Sequence, residues 1–152
     1  MTEVSERFIL YTDGGARGNP GPAGAGMVIT GEVGQVLKKD FKPLGVLTNN
    51  EAEYQAVILG LLALKRYLGR ERLSRARIEI RLDSELVARQ LAGEYQIKEE
   101  KLWPLFIKVW NWRVANPARL AFKSIPREEN RLADQLANQA MDGAKNENNK
   151  LF

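Results

Sequence analysis

Four short segments, far apart in the chain, each carry a carboxylate in a setting that suggests chemistry. They are TDGGARGNPGP at 12–22, TNNEAEYQA at 48–56, RLDS at 81–84 and PREENRLADQLANQA at 126–140. Acids that cluster repel one another and raise each other's pKa, and a divalent cation removes that cost. The segments therefore predict a hard-cation site with oxygen ligands, and two-metal phosphoryl transfer is the leading use of such a site.

The candidate ligands differ in how the sequence positions them. Asp13 and Asp83 each end a predicted strand, and Asp134 lies at the edge of the buried face of a predicted helix. On a helix, Glu53 shares a face with an apolar stripe and Glu51 lies on the opposite, water-facing side; the stripe is Ala56, Val57, Gly60, Leu64 and Tyr67. An ionised Glu on an apolar stripe needs a partner. A metal ion or an arginine from elsewhere in the chain must supply it.

Composition limits the classes of protein that remain. The chain has 152 residues, 44% hydrophobic and 28% charged, which suits one ordinary globular domain. It has no cysteine and no histidine, so thiolate and imidazole chemistry are excluded, and carboxylates and water must carry any acid–base step. The net charge of +4 fits an anionic partner such as nucleic acid. The polar start MTEVSER is not expected to act as a signal peptide, and the apolar run at 56–64 is too short to span a bilayer.

The order of predicted elements places the acids on an α/β sheet. Strand patterns cover 7–13, 24–30, 34–42, 77–83 and 118–124, and helix patterns cover 49–67, 84–91, 98–115 and 127–142. Gly14 and Gly15 are expected to stop the first strand, the run GNPGP at 18–22 to form a loop, and Asn49 or Asn50 to cap the first helix. Ligands gather at the carboxyl ends of parallel strands, so the four acids are predicted to meet on one rim. One domain is expected over 1–142, with 143–152 as a disordered tail.

Taken together, the motifs resemble type 1 ribonuclease H over about residues 7–142. They are TDGG at 12–15, GNPGP at 18–22, TNN at 48–50 followed by Glu53, DS at 83–84, and Asn130 four residues before Asp134. The resemblance implies a five-stranded mixed sheet, three antiparallel strands and then parallel ones, flanked by helices. It also implies two Mg²⁺ ions with substrate bound, Mn²⁺ being an alternative. The implied reaction is hydrolysis of the RNA strand of an RNA–DNA hybrid, giving 5′-phosphate and 3′-hydroxyl ends.

The same resemblance makes four residues the metal-site carboxylates: Asp13, Glu53, Asp83 and Asp134. We expect the substrate to be bound by a further set: Gly14, Gly15, Arg17, Asn19, Thr48, Asn49, Asn50 and Arg127. Asn49 and Asn50 could equally be plain helix caps, and Arg127 could simply pair with Glu128 or Glu129. The expected partner is an RNA–DNA hybrid, with double-stranded RNA left open. A cytoplasmic monomer without membrane contact is expected.

Two features depart from the better-known members of that family. The loop IPREEN at 125–130 is short, lacks their histidine and offers Arg127 as its cation, and this PREEN-type ending is similar to a variant common in archaea and some bacteria. The segment 93–117 has a net charge of only +1 and is rich in tryptophan, so no basic protrusion is expected. Its tryptophans are expected to pack in the core.

Two other classes of function stay open. One is a non-catalytic nucleic-acid-binding domain on the same fold, whose sequence mark would be the loss of an acid, and none of the four is lost. The other is a different nuclease of the superfamily, such as a resolvase or exonuclease, which the TNN and GNPGP motifs disfavour.

Overall fold

The computed structural model describes residues 5–143, which form a five-stranded sheet covered by helices on both faces. The strands are β1 (Arg7–Ala16), β2 (Gly21–Gly31), β3 (Val36–Leu47), β4 (Arg77–Leu82) and β5 (Arg119–Ser124). They lie in the order β3-β2-β1-β4-β5; β1, β2 and β3 are antiparallel, and β4 and β5 run parallel to β1. The predicted α/β mixed sheet is confirmed. Apart from residue 143, the predicted tail lies outside the described residues.

The helices divide between the two faces of the sheet. They are α1 (Asn49–Leu68), α2 (Arg70–Ser74), α3 (Glu85–Leu91), α4 (Trp103–Ala115) and α5 (Arg131–Met141). Helix α1 packs in the main core with Ile29 of β2, whereas α5 packs against Val28. Neighbouring strand residues point to opposite faces, so α1 and α5 lie on opposite sides of the sheet. Within residues 5–143, no helix is long and apolar enough to cross a membrane.

Several predicted boundaries are wrong at the ends of elements. Strand β1 continues through Gly14 and Gly15 to Ala16, because these residues pair with β2, and Gly21 and Pro22 already belong to β2. The glycine signal for a break was overridden by strand pairing. The loop is therefore confined to residues 17–20.

The helix starts also differ from the prediction. Thr48, and neither Asn49 nor Asn50, caps α1: its side chain accepts from the Glu51 N–H, and the Glu51 side chain accepts from the Thr48 N–H. The predicted helix at 127–142 begins at Arg131, because residues 127–129 form a separate 3₁₀ turn. The segment 98–115 likewise opens with a 3₁₀ turn at Glu100–Leu102 before α4, and the short helix α2 was not predicted.

The aromatic segment is more exposed than expected. Trp103 and Trp110 are 47% and 54% exposed, so the expectation that the tryptophans pack in the core is wrong for these two. Trp112 does pack against the core. Tyr67, placed on the buried stripe of α1, is 37% exposed, while the rest of that stripe is buried.

Candidate active site

The sheet brings two of the predicted acids level with each other. Strands β1 and β4 run parallel with Tyr11 beside Arg81, so Asp13 and Asp83 follow two residues later on both strands. Asp13 was predicted to end its strand, but β1 continues past it. Asp13 lies where the pairing of β1 with β4 has ended and the pairing with β2, at Gly26, continues. Asp83 comes directly after β4, as the sequence predicted.

Helix α1 adds Glu53 to the pair through an unusually close approach to β1. A Cβ atom on Gly14 would overlap the backbone carbonyl of Ala52, so only glycine lets the first turns of α1 lie this near the strand. The Gly14 N–H also lies within hydrogen-bonding reach of the Glu53 carboxylate and opposes the rise in its pKa. Carboxylate oxygens of Asp13, Glu53 and Asp83 consequently lie within 4.8 Å of one another.

The fourth acid reaches the site from the start of α5. The Asp134 carboxylate lies within hydrogen-bonding reach of Asp13, at the edge of the group that Asp13 forms with Glu53 and Asp83. Asp134 is half-buried on the flank of α5, as its helical position predicted. The structure thus brings together all four predicted carboxylates.

Asn130, quoted in the motif but assigned no role from sequence, holds this arrangement together. It is 1% exposed, and its Nδ2 donates to the Thr12 carbonyl at 2.9 Å and to Asp83 Oδ2 at 3.5 Å. The backbone carbonyl of Asn130 accepts from the Asp134 N–H at 3.0 Å, which is the first hydrogen bond of α5. The Asn130 side chain therefore ties β1 to Asp83, and its backbone begins the helix that carries Asp134. Its position four residues before Asp134 was the one signal in the sequence.

The crowding of acids changes their protonation. Burial, and then the charges of Asp83 and Asp134, raise the pKa of Asp13 to about 8. Burial, and then Asp13 and Asp83, raise the pKa of Glu53 well above its usual value, while the Gly14 N–H opposes the rise. Burial also raises the pKa of Asp83, and the amide of Asn130 opposes it. Without a cation, the group therefore holds protons at neutral pH.

These residues fit a divalent metal ion. Glu53 Oε1 is buried and has no hydrogen-bond partner within the part of the chain that the structure describes. An orphaned buried carboxylate oxygen is costly unless a cation binds it. Carboxylate oxygens are also the ligands that Mg²⁺ and Mn²⁺ favour.

Arg127 is the cation that acts on this group from the 3₁₀ turn before α5. Its guanidinium is exposed, yet its charge lowers the pKa of Asp13, Glu53 and Asp83. Among residues 5–143 it forms no ion pair, so pairing with Glu128 or Glu129, the alternative considered from sequence, is absent there.

Three asparagines expected to bind substrate have their amide polarity fixed by hydrogen bonds. Asn19 Oδ1 accepts from the Asn49 N–H at 3.0 Å, and Asn49 Oδ1 accepts from the Ala16 N–H at 2.9 Å. Asn50 differs, because its Nδ2 donates to Glu99 Oε1 at 2.7 Å. A backbone N–H only donates and a carboxylate only accepts, so none of the three amide orientations is ambiguous. Asn19 and Asn49 offer NH₂ donors outward, whereas Asn50 offers its oxygen.

The remaining predicted contacts have structural partners. Arg17 forms an ion pair with Asp142, and its Nη2 donates to Asn138 Oδ1 at 3.2 Å, so its side chain is directed to the end of α5. Gly14 is packed against α1, and Gly15 lies beside Met141. Of the eight predicted contacts, four are therefore grouped at the start of α1: Asn19, Thr48, Asn49 and Asn50. Arg127 acts on the carboxylates through its charge.

Comparison with known proteins agrees with this geometry. Residues 11–140 match a protein family described as reverse transcriptase-like. The chain is 36% identical over 140 residues to the bifunctional protein Rv2228c of Mycobacterium tuberculosis, covering 91% of this chain but 36% of that protein. It thus spans about a third of that relative's length. It is also 31% identical over 155 residues to ribonuclease H of Hydrogenovibrio crunogenus, covering 88% of this chain and 94% of that protein.

A solved structure is similar as well. The crystal structure of LC11-RNase H1 in complex with an RNA/DNA hybrid has a TM-score of 0.86 and 46% sequence identity to this chain. The match covers 90% of this chain and 98% of that one.

Proposed function

The chain belongs to the ribonuclease H family of reverse transcriptase-like domains, and on that basis we propose that it is an endoribonuclease that hydrolyses the RNA strand of RNA–DNA hybrids. One observation carries the proposal: Asp13, Glu53 and Asp83 place carboxylate oxygens within 4.8 Å of one another beside Asp134. The hybrid bound to LC11-RNase H1, which is 46% identical to this chain, supports the choice of substrate.

Asp13, Glu53, Asp83 and Asp134 would hold two divalent ions, Mg²⁺ being our first choice and Mn²⁺ the alternative. When bound, the ions supply the Lewis acidity that activates the attacking water and stabilises the leaving 3′-oxygen, which gives 5′-phosphate and 3′-hydroxyl ends. The chain's own residues keep the ligands in place: the Gly14 N–H fixes Glu53, and the Asn130 amide fixes Asp83. The exposed guanidinium of Arg127 attracts the scissile phosphate to the site.

Recognition of the RNA strand follows from the fixed amides at the start of α1. A 2′-hydroxyl both donates and accepts, and it is displayed in a wide, shallow minor groove. Asn19 and Asn49 present donors and Asn50 presents an acceptor, so the three together complement both roles of the hydroxyl. The Thr48 hydroxyl lies beside them as the helix cap. This complementarity is how the chain would distinguish RNA from DNA.

The oligomeric state and location belong to the same proposal. All the proposed ligands come from one chain, which supports a monomer as the active form. A cytoplasmic location stays a prediction of the sequence.

A cleavage assay tests the proposal. Labelled RNA–DNA hybrid, double-stranded RNA and double-stranded DNA are each incubated with the protein and EDTA, Mg²⁺ or Mn²⁺. We expect cleavage of the hybrid with either metal and 5′-phosphate on the new ends, with double-stranded DNA intact. Cleavage of double-stranded RNA at a comparable rate would widen the substrate class. Binding without cleavage in both metals would make the chain a non-catalytic domain and refute the proposal.

A further inference from the structure

The outward faces of β4 and β5 carry cations that the proposed chemistry does not use. Ile78 and Ile80 of β4 and Phe122 of β5 pack in or against the core, so the alternate residues point away from it. We call the cations on that side the basic sheet face: Arg77 and Arg81 of β4, Arg119 and Lys123 of β5, and Arg7 of neighbouring β1. Helix α5, which lies on this side, packs over β2 and leaves Arg77, Arg119 and Lys123 exposed.

The strand register places these charges side by side. Arg7 lies beside Arg77, Arg77 beside Arg119, and Arg81 beside Lys123. Paired strands are about 4.8 Å apart, and like charges directly opposite each other destabilise a sheet. The arrangement therefore opposes folding.

One acid on this face offsets only part of the repulsion. Glu79 pairs with Arg7 at 2.9 Å and also with Arg81, whose guanidinium donates to the Tyr11 hydroxyl at 2.9 Å. Within residues 5–143, Arg77, Arg119 and Lys123 form no ion pair. Three exposed cations are left without an internal counter-charge and are free to bind an external anion.

The basic sheet face is continuous with the carboxylate site. Side chains two residues apart on a strand share a face, so Arg77, Arg81 and Asp83 follow one another on the same side of β4. Lys123, next to Arg81, lies one row before Asp83. A phosphate chain cut beside Asp83 can extend along this row.

We propose that the basic sheet face binds the phosphate backbone of the RNA strand on one side of the scissile phosphate. The inference rests on the proposed function and extends it to a second contact region. Arginine forks bind phosphate oxygens in pairs, which suits three arginines in register. An acidic protein segment would satisfy the same charges, but only a nucleic acid strand accounts for their continuity with the carboxylates.

The test compares two triple variants that lose the same charge. The first variant removes the exposed positive charges of the basic sheet face; it combines Arg77→Gln, Arg119→Gln and Lys123→Gln. The control, at the opposite end of α1 from the site, replaces three other exposed cations: Lys65→Gln, Arg66→Gln and Arg70→Gln. Hybrid binding is measured in EDTA over a range of salt, with a short blunt hybrid and with the same hybrid carrying a single-stranded RNA extension.

For the extended hybrid we expect the slope of log Kd against log salt to become shallower by about 2 in the first variant, since three phosphate contacts are lost at about 0.7 each. The control variant should keep the wild-type slope. In Mg²⁺, kcat should stay unchanged while KM rises. The first variant should melt no lower than wild type, because its substitutions relieve repulsion between the cations. A double variant that replaces only the two β5 cations should change the salt slope by about 1.4.

Equal slope changes in both triple variants, or none in either, would overturn the inference. So would displacement of the RNA extension by polyglutamate at the same charge concentration, which would indicate an acidic protein partner. Failure of wild type to cleave hybrid in Mg²⁺ would instead refute the proposed function. The binding slopes in EDTA are read independently of cleavage.

Discussion

Replacing Asp13 by asparagine should make the metal-free protein more stable while abolishing cleavage. Burial and the neighbouring charges of Asp83 and Asp134 raise the pKa of Asp13 to about 8 in the folded protein, against an ordinary value of 3.8. The folded state therefore keeps a proton that the unfolded state releases. The associated stability is complete below pH 3.8 and is lost as the pH rises to about 8.

The size of the effect follows from that difference. At about 1.4 kcal/mol per pKa unit, ionising Asp13 costs the folded protein at most about 6 kcal/mol. One proton relieves several acids in the cluster, and Arg127 offsets part of the repulsion, so we expect a realised gain of about 2 kcal/mol for Asp13→Asn. In a chain of this length that raises Tm by about 6 °C.

Thermal unfolding in EDTA at pH 5 and pH 8.5 measures this difference in Tm between wild type and Asp13→Asn. At pH 5 Asp13 is still protonated in the folded protein, but the unfolded chain already releases its proton, so wild type should melt only slightly below the variant. At pH 8.5 the variant should melt higher. Asp40→Asn is the matched control, because Asp40 is exposed and asparagine can still accept from the Phe41 N–H. Adding Mg²⁺ at pH 8.5 should stabilise wild type and should do so much less for Asp13→Asn.

Two results would refute this reasoning. A lower Tm for Asp13→Asn at pH 8.5 would mean that the ionised carboxylate is stabilised within the chain. An equal rise at both pH values would mean that the gain comes from packing or local hydrogen bonding and has no link to ionisation. Retained cleavage in Mg²⁺ would separately remove Asp13 from the catalytic set.

Three further substitutions test the supporting residues. Gly14→Ala should force α1 away from β1, which lowers the free energy of unfolding by about 1–3 kcal/mol and displaces Glu53. Single-turnover cleavage should therefore fall sharply, and an active variant would contradict the role of close packing. Glu99→Ala should free the Asn50 amide to rotate, which should raise KM and weaken the preference for RNA over 2′-fluoro strands. Glu99→Gln should behave nearly as wild type. An unchanged preference in Glu99→Ala would contradict the proposed role of the Asn50 amide. Arg127→Ala should raise the carboxylate pKa values, moving the acid limb of the pH–rate profile to higher pH and slowing turnover about tenfold. Arg127→Lys should restore the profile but only part of the rate, and an unmoved profile would make Arg127 a bystander.

The parts of the site that the sequence predicted are those fixed by local periodicity. Helical spacing alone placed Glu53 on the buried face of α1, and strand ends placed Asp83 at the rim. The resemblance to ribonuclease H then assigned all four acids to one metal site. These inferences hold because a residue's face on a helix or strand depends only on its immediate neighbours.

Long-range partners could not be predicted in the same way. Strand β1 runs past Gly14 and Gly15 because β2 pairs with it there, which the local glycine signal does not contain. Asn130 acts on Thr12, 118 residues away, and Asn50 finds its acceptor in Glu99, 49 residues away. An asparagine offers the same groups in every sequence, and only its tertiary partner decides whether it presents a donor or an acceptor.

The distribution of positive charge connects these observations. Neutral donors, the Gly14 N–H and the Asn130 amide, hold Glu53 and Asp83, whereas no arginine or lysine of the described residues is inserted among the carboxylates. A buried guanidinium there would satisfy the acids and compete with a divalent ion for them. Arg127 instead acts from an exposed turn, where its charge opposes the rise in the pKa of Asp13 and Asp83 without cancelling it. The chain thereby leaves its acids dependent on an external cation, and the same residues that weaken the metal-free fold create the affinity of the site for metal.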